Sequence, residues 1–79
     1  MDYIKNILKL EELHKVIEKG RTGSLTQLAE RMHMPKPTLK RKLEELEALG
    51  ARIEYDKCTS SFYYLNNFTF EIIITSHDA

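Results

Sequence analysis

A chain of 79 residues with a formal net charge of zero, 42% hydrophobic and 30% charged residues has the composition of one small globular domain, which excludes a disordered chain. The single cysteine, Cys58, excludes an intrachain disulfide framework. Charges interrupt the N-terminal apolar residues and no apolar run reaches the roughly 20 residues of a membrane span, so we expect neither export nor a membrane partner. We therefore expect a cytoplasmic protein whose residues 1–79 form a single domain.

The first predicted element is a helix over Asp2–Lys19, because this segment contains helix formers and neither Gly nor Pro. At 100° per residue one arc of this helix is apolar, and its members are Tyr3, Ile7, Leu10, Leu13 and Ile17. Gly20 is expected to end the helix. Ile4 and Leu8 lie off this arc, which predicts a second apolar strip that a three-helix core leaves uncovered.

The second predicted helix is short and begins at Leu25. Ser24 and Gln27 have the spacing of a capping box, in which each side chain bonds the backbone N–H of the other residue. One apolar stripe follows over two turns, and its members are Leu25, Leu28, Ala29 and Met32. The sequence therefore predicts a capped amphipathic helix here.

A tight turn and a third helix are predicted next. Pro35 and Pro37 break the periodicity, since proline has no backbone N–H and disfavours a helical residue before it. Pro37 is tolerated in the first turn of a helix, so we expect the third helix to begin near Pro37 and to stop at Gly50. Its buried face is expected to contain Leu39, Leu43 and Leu46. The helix-turn-helix then spans residues 25–49.

Beyond Gly50 the apolar period changes from 3.6 to 2, which predicts strands over Ala51–Tyr55 and Phe62–Leu65 with a polar tip at Asp56–Ser61. The hairpin occupies residues 52–65. The pair Asn66-Asn67 tolerates positive φ and suits a two-residue turn into a further strand over residues 68–75. The predicted fold is therefore α+β, with three helices followed by a two- or three-stranded antiparallel sheet.

This order of elements is that of a winged helix-turn-helix, in which the hairpin is the wing. The sequence itself resembles the N-terminal winged-helix domains of bacterial transcriptional regulators and the small stand-alone proteins related to them. The resemblance covers residues 10–65 and is most specific in Thr38-Leu39-Lys40-Arg41-Lys42-Leu43, the Leu49-Gly50 stop and the strand Ile53-Glu54-Tyr55-Asp56. At Pro35 the sequence departs from the family pattern, which has a capping serine there, so whether Lys36 or Thr38 reaches DNA stays open.

The resemblance implies that the first two turns of the third helix enter the major groove, which nominates Lys36, Thr38, Lys40 and Arg41 as DNA contacts. Residues 33–42 contain basic residues and no acid, and Arg41 points away from the leucine face. Arginine can bond guanine in bidentate fashion, whereas lysine and threonine more often hold phosphates. The further candidates are Lys42 and Lys57 as phosphate contacts, with Arg52 as a possible second wing charge, and Ser24 and Thr26, whose helix N-terminus offers amides to a phosphate.

The function implied by the resemblance is sequence-specific double-stranded DNA binding in transcriptional control. A homodimer is expected because Ile4, Leu8 and residues 68–74 leave apolar surface, although these can cover each other within one chain or across two. The alternative is a winged-helix docking module without DNA binding, which zero net charge suits. We expect no enzyme, cofactor or small-molecule substrate, since no carboxylate pair, catalytic triad or phosphate loop is present.

The remaining reactive or aromatic residues are expected to serve structure. The three histidines, His14, His33 and His77, share no metal-binding spacing and are expected on the surface or in turns. Cys58 has no adjacent base and is expected to be an inert exposed thiol. The aromatic residues of the second strand are expected to pack on the sheet, and they are Phe62, Tyr63 and Tyr64.

Overall fold

The computed structural model describes residues 2–69, which form three helices and a two-stranded antiparallel sheet. The elements are α1 (Asp2–Lys19), α2 (Leu25–Arg31), α3 (Lys36–Ala48), β1 (Ile53–Asp56) and β2 (Ser61–Tyr64). This is the predicted winged helix-turn-helix, with the hairpin β1–β2 as the wing. The predicted third strand over residues 68–75 lies mostly outside the described residues and stays a prediction.

All three helices contribute to one core. Its buried apolar residues are Leu10, Leu13, Ile17, Leu28, Ala29, Met32, Leu39, Leu46 and Ala51. Most described members of the predicted apolar arcs are therefore buried, whereas Ile7, Leu25 and Leu43 are half-buried. Ile4 and Leu8, by contrast, leave 54% and 50% of their surface exposed on α1, which confirms that a second apolar strip remains uncovered within the described part of the chain.

α2 and α3 end in the same backbone motif. At the end of α2 the N–H of Met34 donates to the carbonyl of Ala29 at 3.0 Å, and the N–H of His33 donates to that of Glu30 at 3.1 Å. At the end of α3, Ala51 and Gly50 make the corresponding bonds to residues 46 and 47. Both are Schellman motifs, which need a left-handed residue after the cap. His33 takes that position after α2 with φ 57°, and Gly50 takes it after α3.

The loop after α1 covers one edge of the sheet. The N–H of Phe62 donates to the hydroxyl of Thr22 at 2.8 Å, and the N–H of Thr22 donates to the hydroxyl of Ser61 at 3.1 Å. Thr22 and Ser61 are both buried. The first of these bonds occupies a backbone donor of β2, the N–H of Phe62, on the edge of the sheet.

The base of the wing is closed by the side chain of Asn66. Its amide donates to the carbonyl of Gly50 at 2.9 Å, and its oxygen accepts from the N–H of Arg52 at 3.1 Å. The N–H of Leu65 also donates to the carbonyl of Arg52 at 2.7 Å. Neither Asn66 nor Asn67 takes a positive φ, so Asn66 acts through its side chain and not through a left-handed turn.

One histidine lies where the sequence did not predict it. His14 was expected on the surface or in a turn, and that prediction is wrong, because only 4% of its surface is exposed. Its Nδ1 lies 2.7 Å from the hydroxyl of Tyr64, and the ring of Phe68 meets it edge-on at 5.5 Å between centroids. A polar partner on the wing, Tyr64, and the ring of Phe68 after the wing allow a histidine on α1 to be buried. His33 does lie exposed in a turn, and His77 lies outside the described residues.

Candidate nucleic-acid interface

The start of α3 is determined by its two prolines. Pro35 is the N-cap, with an extended backbone at φ −65° and ψ 154°, and no side chain caps the helix. Lys36 is the first helical residue, one position before the predicted start near Pro37. Pro37 fits the first turn because a backbone N–H there would have no partner within the helix. Both Lys36 and Thr38 therefore lie in the first turn of α3.

The first half of α3 presents three free cations. Lys36, Lys40 and Arg41 are all exposed, whereas Leu39 on the other side of the helix is fully buried. Within the described part of the chain, none of the three cations has an ion-pair partner. We call these three residues the basic face. A surface with unpaired cations at the start of a helix suits an anionic polymer.

Thr38 and Lys42 are less exposed than the cations of the basic face. Thr38 is half-buried. The ammonium of Lys42 lies 3.3 Å from a carboxylate oxygen of Glu45, and only 16% of the Lys42 side chain is exposed. The other carboxylate oxygen of Glu45 accepts from the amide of Asn6 at 3.0 Å. Lys42 is thus part of a polar contact between α3 and α1 and is less available than the cations of the basic face.

The N-terminus of α2 is closed by the predicted capping box. The hydroxyl of Ser24 accepts from the N–H of Gln27 at 3.3 Å, and the N–H of Ser24 donates to the side-chain oxygen of Gln27 at 2.9 Å. The Ser24 amide therefore already has a partner. Thr26 is exposed in the first turn.

The wing offers less positive charge than α3. Lys57 is exposed at its tip, where the N–H of Cys58 donates to the carboxylate of Asp56 at 2.9 Å. Arg52 is exposed at the base of the wing. The acids Glu54 and Asp56 on β1 offset these two cations.

One cation beside the end of α2 was missed by the sequence reasoning. The ammonium of Lys9 on α1 lies 3.4 Å from the carbonyl of Met32, at the end of α2, and 3.5 Å from the carboxylate of Glu12. The contact with Met32 joins residues that are 23 positions apart. Of these two contacts, only the i, i+3 spacing of Lys9 and Glu12 is visible in the sequence. Helical periodicity therefore could not predict that Lys9 lies beside the turn between α2 and α3.

The described residues give little support for a metal site, a reactive thiol or a membrane span. Among residues 2–69, no group of three or more His, Cys, Asp and Glu side chains is placed to hold a metal ion. Cys58 is exposed with a free thiol. None of the helices in the described ranges is long and apolar enough to cross a membrane.

Comparison with known proteins finds a family model that matches most of the helical part of the chain. Residues 13–51 match the family model described as the IclR helix-turn-helix domain. The match runs from Leu13 of α1 through α2 and α3 to Ala51, and so includes the whole basic face. No curated protein and no solved structure matches the chain.

Proposed function

We propose that this protein binds specific sequences of double-stranded DNA and regulates transcription, because residues 13–51 match the IclR helix-turn-helix domain, a winged DNA-binding family of bacterial regulators. The basic face carries this proposal, since its three exposed cations lie on the helix that a helix-turn-helix inserts into the major groove. The cytoplasm is the location that we propose with this function.

The finer roles follow from exposure and side-chain chemistry. Arg41 is proposed to read a guanine, because its guanidinium can bond O6 and N7 together. Lys36, Thr38 and Lys40 are proposed to hold phosphates on either side of that base. Secondary phosphate contacts are proposed for Lys42, Lys57, Ser24 and Thr26. Their contributions should be smaller, since Lys42 is paired with Glu45 and the Ser24 amide with Gln27.

A docking module that binds protein and not DNA is the competing function. Zero net charge suits it, and so do exposed leucines such as Leu49 and Leu65, which leave 55% and 57% of their surface uncovered. The two functions differ in their response to salt, because DNA binding releases counterions whereas burial of leucine does not.

The test is fluorescence anisotropy of labelled duplexes, first a random pool and then sequences selected from it, at increasing salt concentration. With about four phosphate contacts, the logarithm of the association constant should fall with the logarithm of salt with a slope of about −3 to −4. The selected duplex should bind more tightly than the random pool. Absence of binding to any duplex at low salt would contradict the proposal and favour docking.

We also propose that the protein acts as a homodimer through α1 and the C-terminal segment 68–75. The exposed strip of Ile4 and Leu8 supports this, because it gives two copies an apolar surface to bury. A two-fold dimer would read half-sites about one helical turn apart.

Sedimentation equilibrium tests the dimer. The wild type should sediment as a dimer at micromolar concentration, and the double variant Ile4→Ser, Leu8→Ser as a folded monomer. Leu65→Ser removes an equally exposed leucine from the wing and should leave the dimer intact. A wild type that is monomeric throughout would contradict the dimer without affecting the proposal of DNA binding.

A further inference from the structure

We propose that the outer edge of β1 binds the same edge of a second copy of this chain, so that two wings join into one four-stranded antiparallel sheet. The contact is separate from the proposed α1 dimer and does not depend on DNA binding. On the opposite edge of the sheet, the N–H of Phe62 already donates to the hydroxyl of Thr22. The open edge is therefore the outward-facing backbone of Ile53 and Tyr55, which we call the wing edge.

The backbone groups of Ile53 and Tyr55 face away from β2. The carbonyl of Arg52 accepts from the N–H of Leu65 and so points to the β2 side. Backbone groups alternate in direction along a strand, so those of the next residue, Ile53, point outward. Tyr55 is paired with Phe62, whose N–H points away from β1, which gives the same direction. In the described part of the chain, none of these outward groups has a hydrogen-bond partner.

The wing edge is accessible to another strand. Arg52, Glu54 and Tyr55 are exposed, and Ile53 is half-buried. β1 contains neither proline nor lysine, which commonly protect an open edge, and its register with β2 has no bulge. An open edge of this kind is a template for pairing with a further strand.

One register of antiparallel pairing fits the charges of β1. Centred on Glu54, it places Ile53 opposite Tyr55 of the second copy and uses every outward backbone group of the strand. Arg52 then lies opposite Asp56 of the second copy, and two-fold symmetry repeats this pair. The like-charge pair is Glu54 with its own copy. Two pairs of opposite charge therefore stand against one pair of like charge, which favours a second copy as the partner.

The two neighbouring registers fit less well. Centred on Ile53, the pairing needs the N–H of Ala51, which is buried and already donates to the end of α3 at 3.1 Å. Centred on Tyr55, it places Glu54 opposite Asp56 twice, which sets acid against acid. The register centred on Glu54 is therefore the one that we propose.

The contact is small. A standard protein interface has roughly 20–30 residues on each side, whereas this one consists of residues 52–56 of each copy. The pairing is therefore weak alone. It becomes populated when a second attachment, such as the proposed α1 dimer or a shared duplex, raises the local concentration of the wing edges.

Disulfide cross-linking tests the contact and its register. The full chain carries Glu54→Cys with Cys58→Ser, and also Ile4→Ser and Leu8→Ser so that the α1 dimer does not contribute. In the proposed register position 54 meets its own copy as a non-hydrogen-bonded pair, whose Cα atoms are about 4.5 Å apart, within the range of a disulfide. Oxidised glutathione starts the reaction, and non-reducing gel electrophoresis measures the rate at which the covalent dimer forms.

The matched control is Tyr63→Cys in the same background. Tyr63 lies opposite Glu54 on β2 and is exposed, but it is one strand further from the wing edge. Each rate is normalised to the reaction of that thiol with iodoacetamide. Glu54→Cys should cross-link at least about tenfold faster than the control, because pairing raises the effective concentration of its thiol.

Charge reversal tests the pairing of Arg52 with Asp56. Adding Arg52→Asp to the Glu54→Cys chain should slow cross-linking to the rate of the control, because it sets two acids opposite each other. Adding Asp56→Arg as well restores opposite charges and should restore most of the rate. Urea unfolding measures the folded fraction of each variant under the assay conditions.

Two results would overturn the inference. If Glu54→Cys and Tyr63→Cys cross-link at equal normalised rates, the wing edge does not take a second copy. If Arg52→Asp leaves the rate of the Glu54→Cys chain unchanged, the proposed register is wrong. Neither result bears on DNA binding or on the α1 dimer, because salt-dependent anisotropy and sedimentation test those proposals separately.

Discussion

The Nδ1 of His14 lies 2.7 Å from the hydroxyl of Tyr64, and this contact joins α1 to the wing across 50 positions of sequence. The Nε2 of His14 lies 3.8 Å from the carboxylate of Glu18. Burial raises the pKa of the Tyr64 phenol well above its usual range, and the negative charge of Glu18 raises it further. The contact fixes the wing on the helical core, and so fixes it relative to α3.

Tyr64→Phe should lower the free energy of unfolding by about 1–2 kcal/mol, because it removes the hydrogen bond between the Tyr64 hydroxyl and the buried imidazole of His14. It should also change the dependence of stability on alkaline pH. The folded-state pKa of Tyr64 is raised, so the stability from its neutral phenol is fully present below the unfolded pKa of about 10 and is lost as the pH rises above it. Urea unfolding at pH 9 and pH 11 should therefore show a larger loss for the wild type than for Tyr64→Phe. Equal losses would contradict this account of Tyr64.

Ser24→Ala should destabilise the domain by about 1 kcal/mol, since it removes the acceptor that caps α2. Thermal unfolding followed by circular dichroism measures the effect. Ser24→Asp keeps an acceptor at the cap and serves as the matched control, with stability close to that of the wild type. A stability of Ser24→Ala equal to that of the wild type would show that the capping box contributes nothing measurable.

Arg41→Ala should weaken binding to a selected duplex by about tenfold and relax the preference at one base pair, because it removes a bidentate base contact. Lys40→Ala should weaken binding to selected and random duplexes alike and reduce the salt slope by about 0.9. Neither change should affect stability, since both side chains are exposed and without an ion-pair partner among the described residues. Lys15→Ala, an exposed lysine on α1, is the control. Variants that bind as the wild type would exclude the basic face as the DNA contact.

Lys42→Met should affect folding more than binding. The substitution removes the ion pair with Glu45 but keeps most of the aliphatic chain, so the loss of stability should be at most about 1 kcal/mol. Affinity for DNA should change less than it does in Lys40→Met, which alters the same residue type two positions earlier. If Lys42→Met weakened DNA binding more than Lys40→Met does, Lys42 would have to leave Glu45 and bind a phosphate.

Local signals in the sequence predicted most of the fold. The bounds of α1, the capping box of Ser24 and the stop at Gly50 were all predicted correctly, because periodicity, capping and left-handed glycine act within a few residues. The strand bounds differed by one or two positions, since strand ends depend on pairing with a partner. Three helices followed by an antiparallel hairpin confirm the predicted fold class, and the family match confirms the resemblance.

The contacts that join distant parts of the chain were not predicted. The burial of His14 depends on Tyr64, and the position of Lys9 beside the turn depends on how α1 packs against α2. The pairing of Lys42 with Glu45 has a helical spacing that the sequence shows, but the hydrogen bond that Glu45 accepts from the amide of Asn6 on α1 has no such signal. Each case needs the tertiary arrangement, which helical and strand periodicities do not contain.

The most direct test of the proposed function is a nuclear magnetic resonance titration of the ¹⁵N-labelled protein with a selected duplex at low salt. We predict that amide shift changes concentrate in residues 33–42, with smaller changes at the N-terminus of α2 and at the tip of the wing. The C-terminal half of α3, which contains Glu44 and Glu47, should change little. Changes confined to the exposed leucines at residues 49 and 65, or no changes at all, would contradict DNA binding through the basic face.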